Sequence, residues 1–113
     1  MGKVRIHISR FYAADSPLET EYINNPQDKF PINIEDIETK GVYYIVNGKH
    51  RIAKHYLESK TKDSIEIDSD SIHKPFNISL DAPEKFVPLM KLIIDFINNH
   101  QKENGRWVRK RKK

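Results

Sequence analysis

GVYYIVNGKHRIAKHY, residues 41–56, is the stretch of sequence that decides the fold of this chain. Its first part, 42–46, is an unbroken run of β-branched and aromatic residues, which is typical of a strand buried on both faces of a parallel or mixed sheet. After Asn47-Gly48 the apolar side chains recur at helical spacing instead, and they are Ile52, Ala53, Tyr56 and Leu57. We therefore predict a strand, a tight glycine turn and a helix over about 49–59.

The same Asn47-Gly48 pair supports a second interpretation. Asn-Gly is the strongest two-residue hairpin signal, and a hairpin would continue as a strand over 49–53. The apolar positions after the glycine do not alternate, however, because they are spaced i, i+1, i+4 and i+5. The helix is therefore the favoured prediction, and the hairpin stays open as its alternative.

Outward from this stretch, alternation of apolar and polar residues predicts three further strands. They lie at about 3–9, 30–34 and 64–68. A short helix is predicted at about 17–24, because Ser16-Pro17-Leu18-Glu19 has the pattern of a capping box with proline at the first helical position.

The longest predicted element is a helix at about 83–102. Apolar side chains recur there at three- and four-residue spacing between Phe86 and Ile97. Gly105 is predicted to end the ordered body. Together these patterns indicate an α+β (mixed α/β) domain at 1–105, with a small mixed sheet of about four strands and three helices, followed by a basic flexible tail at 106–113.

The composition fits one globular domain and excludes several classes of protein. The chain has 113 residues, of which 37% are hydrophobic and 32% charged, enough for a single core. It contains no cysteine, which excludes disulfides, thiolate metal sites and cysteine nucleophiles. No apolar run approaches the ~20 residues of a membrane span, and the first residues lack a signal-peptide core. We therefore expect a cytoplasmic protein with no membrane partner.

The net charge of +4 is unevenly placed along the chain. Residues 106–113 hold six basic groups and no acid, whereas the other 105 residues carry a net charge of −2. Such a tail attracts phosphate backbones by counterion release, so DNA or RNA is a predicted partner. The predicted contacts are Arg106, Trp107, Arg109, Lys110 and Arg111. Two alternatives stay open: a solubilising disordered end, and a Trp107 that packs on the body instead of stacking on a base.

The glycine turn at Asn47-Gly48 has the features of an anion site. Free backbone amides and the helix dipole favour negative charge at the start of a helix. Gly48 lets a phosphate approach the backbone, Arg51 can hold it in a bidentate fork, and Lys49 and His50 add donors. Cations at this position oppose the dipole by about 0.3–1 kcal/mol each, so three of them together point to an anionic ligand.

These residues resemble a known family. Val46–Ala53 is similar to the strand–G-x-x-R–helix signature of the ParB/sulfiredoxin-like superfamily, often written D-G-x-H-R-x-x-A. Phe30–Ile34 resembles the P-I-x-V strand that pairs with it, and Ser64 to Asp68 fits the strand after its helix. The resemblance covers roughly residues 3–68.

The resemblance implies a nucleotide, ATP or CTP with magnesium, whose phosphates contact Gly48, His50 and Arg51. It also implies NTP hydrolysis or phosphotransfer as candidate activities. Lys49 stands where sulfiredoxins place their catalytic cysteine, so that reaction is excluded. We expect no helix-turn-helix domain after residue 68, which argues against sequence-specific DNA partition.

Two residues are candidates for a catalytic role. His50 can carry a proton near neutral pH. Glu19, with Asp15 and Glu21, corresponds to the region from which serine-kinase relatives take a carboxylate base, although such acids more often cap a helix or lie on the surface. The spacing of the acids and histidines predicts no transition-metal site, and His55 is interpreted as a surface residue.

Two function classes follow from these features. The first is a nucleotide- or phosphate-binding domain, with its ligand on Asn47, Gly48, Lys49, His50 and Arg51. The alternative is a non-enzymatic nucleic-acid-binding module, or a nuclease-like relative, of a phage or mobile element. An adaptor that acts by its surface alone also stays open, and the patterns decide neither enzymatic activity nor oligomeric state.

Overall fold

The computed structural model of the chain describes residues 2–26, 31–59, 63–74 and 85–111. Within these ranges it contains strands, α-helices and two 3₁₀ turns, so the predicted α+β class is confirmed. The strands are β1 (Lys3–His7), β2 (Phe11–Ala14), β3 (Asn33–Ile37), β4 (Val42–Asn47), β5 (Ser64–Asp68), β6 (Ile72–His73), β7 (Phe86–Pro88), β8 (His100–Glu103) and β9 (Arg106–Arg109). The helices are α1 (Thr20–Asn24), α2 (Lys49–Glu58) and α3 (Leu89–Asn99), and the 3₁₀ turns are Ile8–Arg10 and Ser69–Ser71.

A five-stranded mixed sheet in the order β6-β3-β4-β2-β7 forms the centre of the molecule. β4 is antiparallel to β3 and parallel to β2, while β7 closes one edge antiparallel to β2. Tyr43, Tyr44 and Ile45 are all buried, as the unbroken apolar run predicts, whereas Val46 at the end of that run is 51% exposed. Because β2 and β4 are parallel, their carboxyl ends meet at one edge of the sheet, and the chain leaves both strands there.

Two smaller antiparallel sheets flank this centre, one formed by β1 and β5 and the other by β8 and β9. Buried side chains from β1, the central sheet, α2, β5 and α3 form one hydrophobic cluster. Among its fully buried members are Ile6, Phe11, Ile34, Ile52 and Ile93. α2 therefore packs its apolar stripe against a shared core and leaves its amino end at the sheet edge.

The helix interpretation of residues 49–59 is confirmed, and the hairpin alternative is wrong. Gly48 is the N-terminal cap of α2, and its carbonyl accepts the first helical hydrogen bond from the Ile52 amide at 2.9 Å. Gly48 has φ +103°, a conformation that L side chains rarely adopt. A Cβ at this position would also lie 2.9 Å from Cγ1 of Ile32. The turn therefore requires glycine for its backbone and for close packing.

The sequence predicted about four strands, whereas the described residues form nine, five of them in the central sheet. β5 has the predicted bounds, and β1 ends at His7, where the 3₁₀ turn leads into β2. β2 was missed because its short Phe-Tyr-Ala-Ala sequence shows no clear alternation. β3 runs over Asn33–Ile37 rather than 30–34, of which residue 30 lies outside the described residues.

Both remaining helices start later than predicted. α1 begins at Thr20 after Glu19, which makes no side-chain capping bond, so the capping box based on Ser16 is wrong. The hydroxyl of Ser16 contacts the ammonium of Lys49 instead. α3 begins after Pro88, since the preceding residues pair with β2 as β7, and it ends before β8. Residues 83 and 84 of the predicted helix lie outside the described residues.

The prediction that the ordered body ends at Gly105 and leaves a flexible tail is wrong for 106–109. These residues form β9, which pairs with β8 through a turn whose central residues, Asn104 and Gly105, both have positive φ, as tight hairpin turns require. The Trp107 amide donates to Oδ1 of Asn24 at 2.8 Å, and the Asn24 amide returns a bond to the Trp107 carbonyl at 2.9 Å. These tertiary contacts hold a segment whose charge alone suggests a solvated coil.

Candidate functional site

The candidate site lies at the sheet edge where β2 and β4 end. In open sheets with parallel strands, ligands bind outside the carboxyl ends of neighbouring strands, where the connecting segments diverge. Here the loop 15–19 follows β2 and the Gly48 turn follows β4. Lys49 joins the two segments, because its ammonium donates to the Ser16 carbonyl at 3.0 Å and contacts the Ser16 hydroxyl at 2.7 Å.

The first turn of α2 presents backbone donors at this edge. The Ile52 amide makes the first intrahelical bond, so the amides of Lys49, His50 and Arg51 have no acceptor within the helix. Gly48 offers no side-chain cap, and the first turn contains no acidic residue. The turn therefore combines free donors with the positive end of the helix dipole.

A small cleft of 220 Å³ lies beside this turn, and its walls include Tyr22, Pro26 and the segment 47–51. The guanidinium of Arg51 lies over the turn, since Nη2 is 3.4 Å from the place a Gly48 Cβ would occupy. Among the described residues Arg51 has neither a hydrogen-bond acceptor nor an ion-pair partner. The cleft is thus lined by a free guanidinium and free amides, which suit a phosphate-sized anion.

His50 is held by α1 rather than free to exchange protons. Its Nε2 accepts a hydrogen bond from the Glu19 amide at 3.0 Å, and its ring meets Tyr22 edge to face at 5.3 Å between centroids. Burial, helped by the positive charge of Lys49, lowers the pKa of His50 to about 4. The ring is therefore neutral near pH 7, with Nε2 occupied and only Nδ1–H able to donate.

The side chains of Lys49 and Asn47 both make hydrogen bonds within the protein, so they hold the site together and do not point to a ligand. Burial lowers the pKa of Lys49, and the nearby carboxylates of Glu19 and Asp15 counteract this shift. Its ammonium is directed to Ser16, as described above. The side-chain amide of Asn47 donates to the Pro31 carbonyl at 3.0 Å and so fixes the end of β4. Of the side chains among the five predicted binding residues, that of Arg51 alone has no partner within the described residues, and Ile32 and Arg51 occupy the space over Gly48.

The second predicted catalytic residue, Glu19, lies elsewhere. Its backbone amide holds His50, but its exposed side chain lines a different cleft, on the α3 side of loop 15–20. Asp15 lines that same cleft. The structure therefore does not bring a Glu19 carboxylate together with Gly48 and Arg51.

The predicted nucleic-acid contacts divide into two groups. Arg106, Arg109, Lys110 and Arg111 are exposed on or just after β9. Trp107 is half-buried, and its indole packs edge to face on Phe96 at 5.4 Å between ring centroids. The interpretation in which Trp107 packs back on the body is therefore confirmed, and this packing leaves only part of its ring exposed.

Tyr22 is a site residue that the sequence analysis missed. It is half-buried, lines the cleft beside Arg51 and contacts His50. An aromatic residue in a short polar helix next to Pro26 is the one signal that could have drawn attention to it. Its position depends on how α1 folds over α2, which no local pattern encodes.

In the described part of the chain no three His, Asp or Glu side chains come together as a metal site would need. No helix among these residues is long and apolar enough to cross a membrane. No protein-family model, curated protein or solved structure matches the chain.

Proposed function

We propose that this protein binds a phosphate-bearing ligand, of which a nucleotide such as ATP or CTP is the candidate class, at the amino end of α2. The observation that carries the proposal is the position of the Arg51 guanidinium, unpaired among the described residues, over a glycine turn with three free amides. Backbone amides at a helix N-terminus and a guanidinium fork both match the geometry and charge of a phosphate.

Electrostatics support the same ligand. The first turn of α2 holds two cations, Lys49 and Arg51, and no acid, against the direction of the helix dipole. His50 is neutral in this site, and the Lys49 ammonium donates to Ser16. Arg51 therefore supplies the positive charge that is free to contact a ligand. A bound phosphate would offset the unfavourable interaction between Arg51 and the dipole, and it would accept from the free amides.

We propose binding rather than phosphate transfer. A general base needs a free lone pair within reach of the proton that it removes. Nε2 of His50 already accepts from the Glu19 amide, and the Glu19 side chain lines another cleft. The resemblance of Val46–Ala53 to a nucleotide-binding family supports the phosphate site and adds magnesium as a companion of the nucleotide.

Calorimetric titration of the whole chain with ATP, CTP, ADP and inorganic phosphate, with and without magnesium, tests the proposal. Arg51→Ala should weaken binding about 10- to 100-fold, because a charge-assisted fork to phosphate is lost. Arg106→Ala is the matched control and should bind like wild type. Absence of binding to all four ligands, or equal binding by Arg51→Ala and wild type, would contradict the proposal.

A second candidate function is contact with a nucleic-acid backbone through the β8–β9 hairpin. The observation in its favour is that Arg106, Arg109, Lys110 and Arg111 are exposed on an ordered element rather than on a free coil. Replacing Arg106 and Lys110 by alanine should weaken binding of a single-stranded oligonucleotide and lower its salt dependence. An unchanged salt slope would reject this role for the hairpin.

A further inference from the structure

The outer face of α3 has an apolar stripe. Three large apolar side chains are exposed in the described part of the chain, and two of them, Ile94 at 47% and Ile97 at 39%, lie on this helix. Met90, one turn before Ile94, is half-buried at the edge of the core. At about 100° per residue these side chains lie within about 60° of one another around the helix axis. Met90, Ile94 and Ile97 therefore form one surface, the α3 stripe.

The α3 stripe is separate from the face by which α3 packs on the core. The buried side chains of this helix are Leu89, Leu92, Ile93 and Phe96. They occupy one side of the helix, and the stripe lies beside them, on the solvent side. A helix that only closes a core has polar residues at such positions. The stripe thus provides adjoining apolar surface that a second molecule can cover.

Two exposed charges border the α3 stripe, and they are Lys91 and Asp95. The ion pairs found among the described residues both join β1 to β5, so neither charge is paired there. Lys91 and Asp95 lie four residues apart, but the lysine comes first, and this order is the less favourable one for a pair within a helix. Both charges therefore remain available to a partner.

The stripe and its charges are complementary to themselves when the helix is reversed. In an antiparallel pair of α3 helices centred between Ile93 and Ile94, Met90 lies opposite the partner's Ile97, and the two Ile94 side chains meet near the centre. The same register brings Lys91 level with the partner's Asp95. A parallel pair would instead place each charge beside its own copy. A two-fold interface requires one patch that fits itself, and the reversed α3 stripe meets this requirement.

From the exposed apolar stripe and its reversible charge pattern we infer that α3 forms the interface of a two-fold dimer of this chain, with the helices of the two copies antiparallel. Burial of Met90, Ile94 and Ile97 stabilises the dimer. The two pairs between Lys91 and Asp95 at the rim fix the direction of the helices.

The size of the α3 stripe sets the strength of the dimer. Three apolar side chains from each copy make an interface below the ~1,200 Å² that stable complexes bury, so the dimer dissociates on dilution. The stripe shares no residue with the cleft at Gly48. The dimer and the phosphate site can therefore fail independently.

Sedimentation velocity of the whole chain, over a dilution series from millimolar to low micromolar concentration, tests the inference. Wild type should change from dimer to monomer along the series. Ile94→Gln should raise the dissociation constant about 10- to 100-fold, because each dimer loses two apolar contacts near its two-fold axis. Val46→Gln, the same kind of change at the exposed apolar residue of β4, is the matched control and should assemble like wild type. Circular dichroism checks that both variants fold.

A pair of charge reversals tests whether the partner is a second copy. Lys91→Glu and Asp95→Lys should each weaken assembly, because each variant sets like charges opposite one another at both ends of the interface. Mixing the two variants places opposite charges together again. The mixture should therefore form a heterodimer at concentrations where each variant alone is monomeric.

Three results would overturn the inference. The first is a wild-type chain that stays monomeric up to millimolar concentration. The second is a dimer that Ile94→Gln weakens no more than Val46→Gln does, which would place the interface elsewhere. The third is a mixture of the two charge variants that assembles no better than either variant alone, which would exclude the antiparallel pairing of α3 with its copy.

Discussion

The Gly48 turn and the β8–β9 hairpin are both Asn-Gly turns, yet they form different structures. At Asn47-Gly48 the chain enters α2, whereas at Asn104-Gly105 it reverses into β9. The residues after each glycine account for the difference, because Ile52 and its helically spaced neighbours bury one face, while Trp107 pairs in register with Lys102. An Asn-Gly pair thus permits a left-handed backbone, and the apolar spacing that follows it decides the element.

The largest expected effect compares the two glycines directly. Gly48→Ala should destabilise the fold by about 2–4 kcal/mol, because it combines a positive φ with a Cβ that meets Ile32 at 2.9 Å. Gly105→Ala has a similar φ of +80° but nothing within 4 Å of its Cβ, and it should cost about 1 kcal/mol. Chemical denaturation of both variants measures the difference. Equal losses would show that the contact with Ile32 contributes nothing.

The next prediction tests whether the β8–β9 hairpin is part of the fold. Trp107→Ala should lower the free energy of unfolding by about 1–3 kcal/mol, because the indole packs on Phe96. Arg106→Ala, on the same strand but exposed, should change it by less than about 0.5 kcal/mol. Urea denaturation of the two variants provides the measurement. A Trp107→Ala protein as stable as wild type would restore the flexible tail predicted from charge.

The smallest expected effect depends on pH and concerns His50, the residue of α2 that contacts Glu19 and Tyr22. The pKa of His50 is lowered from 6.5 to about 4, so between these values only the unfolded chain takes up the proton. The stabilisation is complete above about pH 6.5 and is lost as the pH falls toward 4. For this partly exposed ring it should amount to about 1–2 kcal/mol after allowance for solvent screening.

Denaturation midpoints of wild type and His50→Gln at pH 7 and pH 4.5 isolate this effect, since other groups titrate alike in both proteins. Wild type should lose more stability than His50→Gln over this interval. His55→Gln, an exposed histidine on the same helix, is the control and should follow wild type. Parallel loss in all three proteins would mean that burial in the fold does not lower the pKa of His50.

Sequence patterns were sufficient to predict a strand or helix where all of its determinants lie within that segment. The strand at 42–46 follows from an unbroken apolar run, and the helix after Gly48 and the strand at 64–68 follow from periodicity within each segment. β2 and β7 could not be found in this way, because each is short and is defined by its partners: β2 lies between β4 and β7, and β7 pairs with β2. The β8–β9 hairpin was not predicted for a related reason. Asn24 and Phe96, which hold Trp107 in place, lie far from it in the sequence.

The same division applies to the candidate site. Gly48 and Arg51 were predicted from their place at the start of a helix, and the structure places the guanidinium over the turn. That His50 accepts from Glu19, that Lys49 donates to Ser16 and that Tyr22 lines the cleft all depend on how loop 15–19 and α1 fold over α2. No spacing within the helix contains that information.

Amide chemical shifts during a titration with ATP and magnesium test the central claim most directly. The phosphate site predicts saturable shifts of the Lys49, His50 and Arg51 amides that require about 10- to 100-fold more ATP in Arg51→Ala, with residues 106–111 unaffected. Saturable shifts confined to the hairpin, or no shifts at the start of α2 at any ATP concentration, would contradict it.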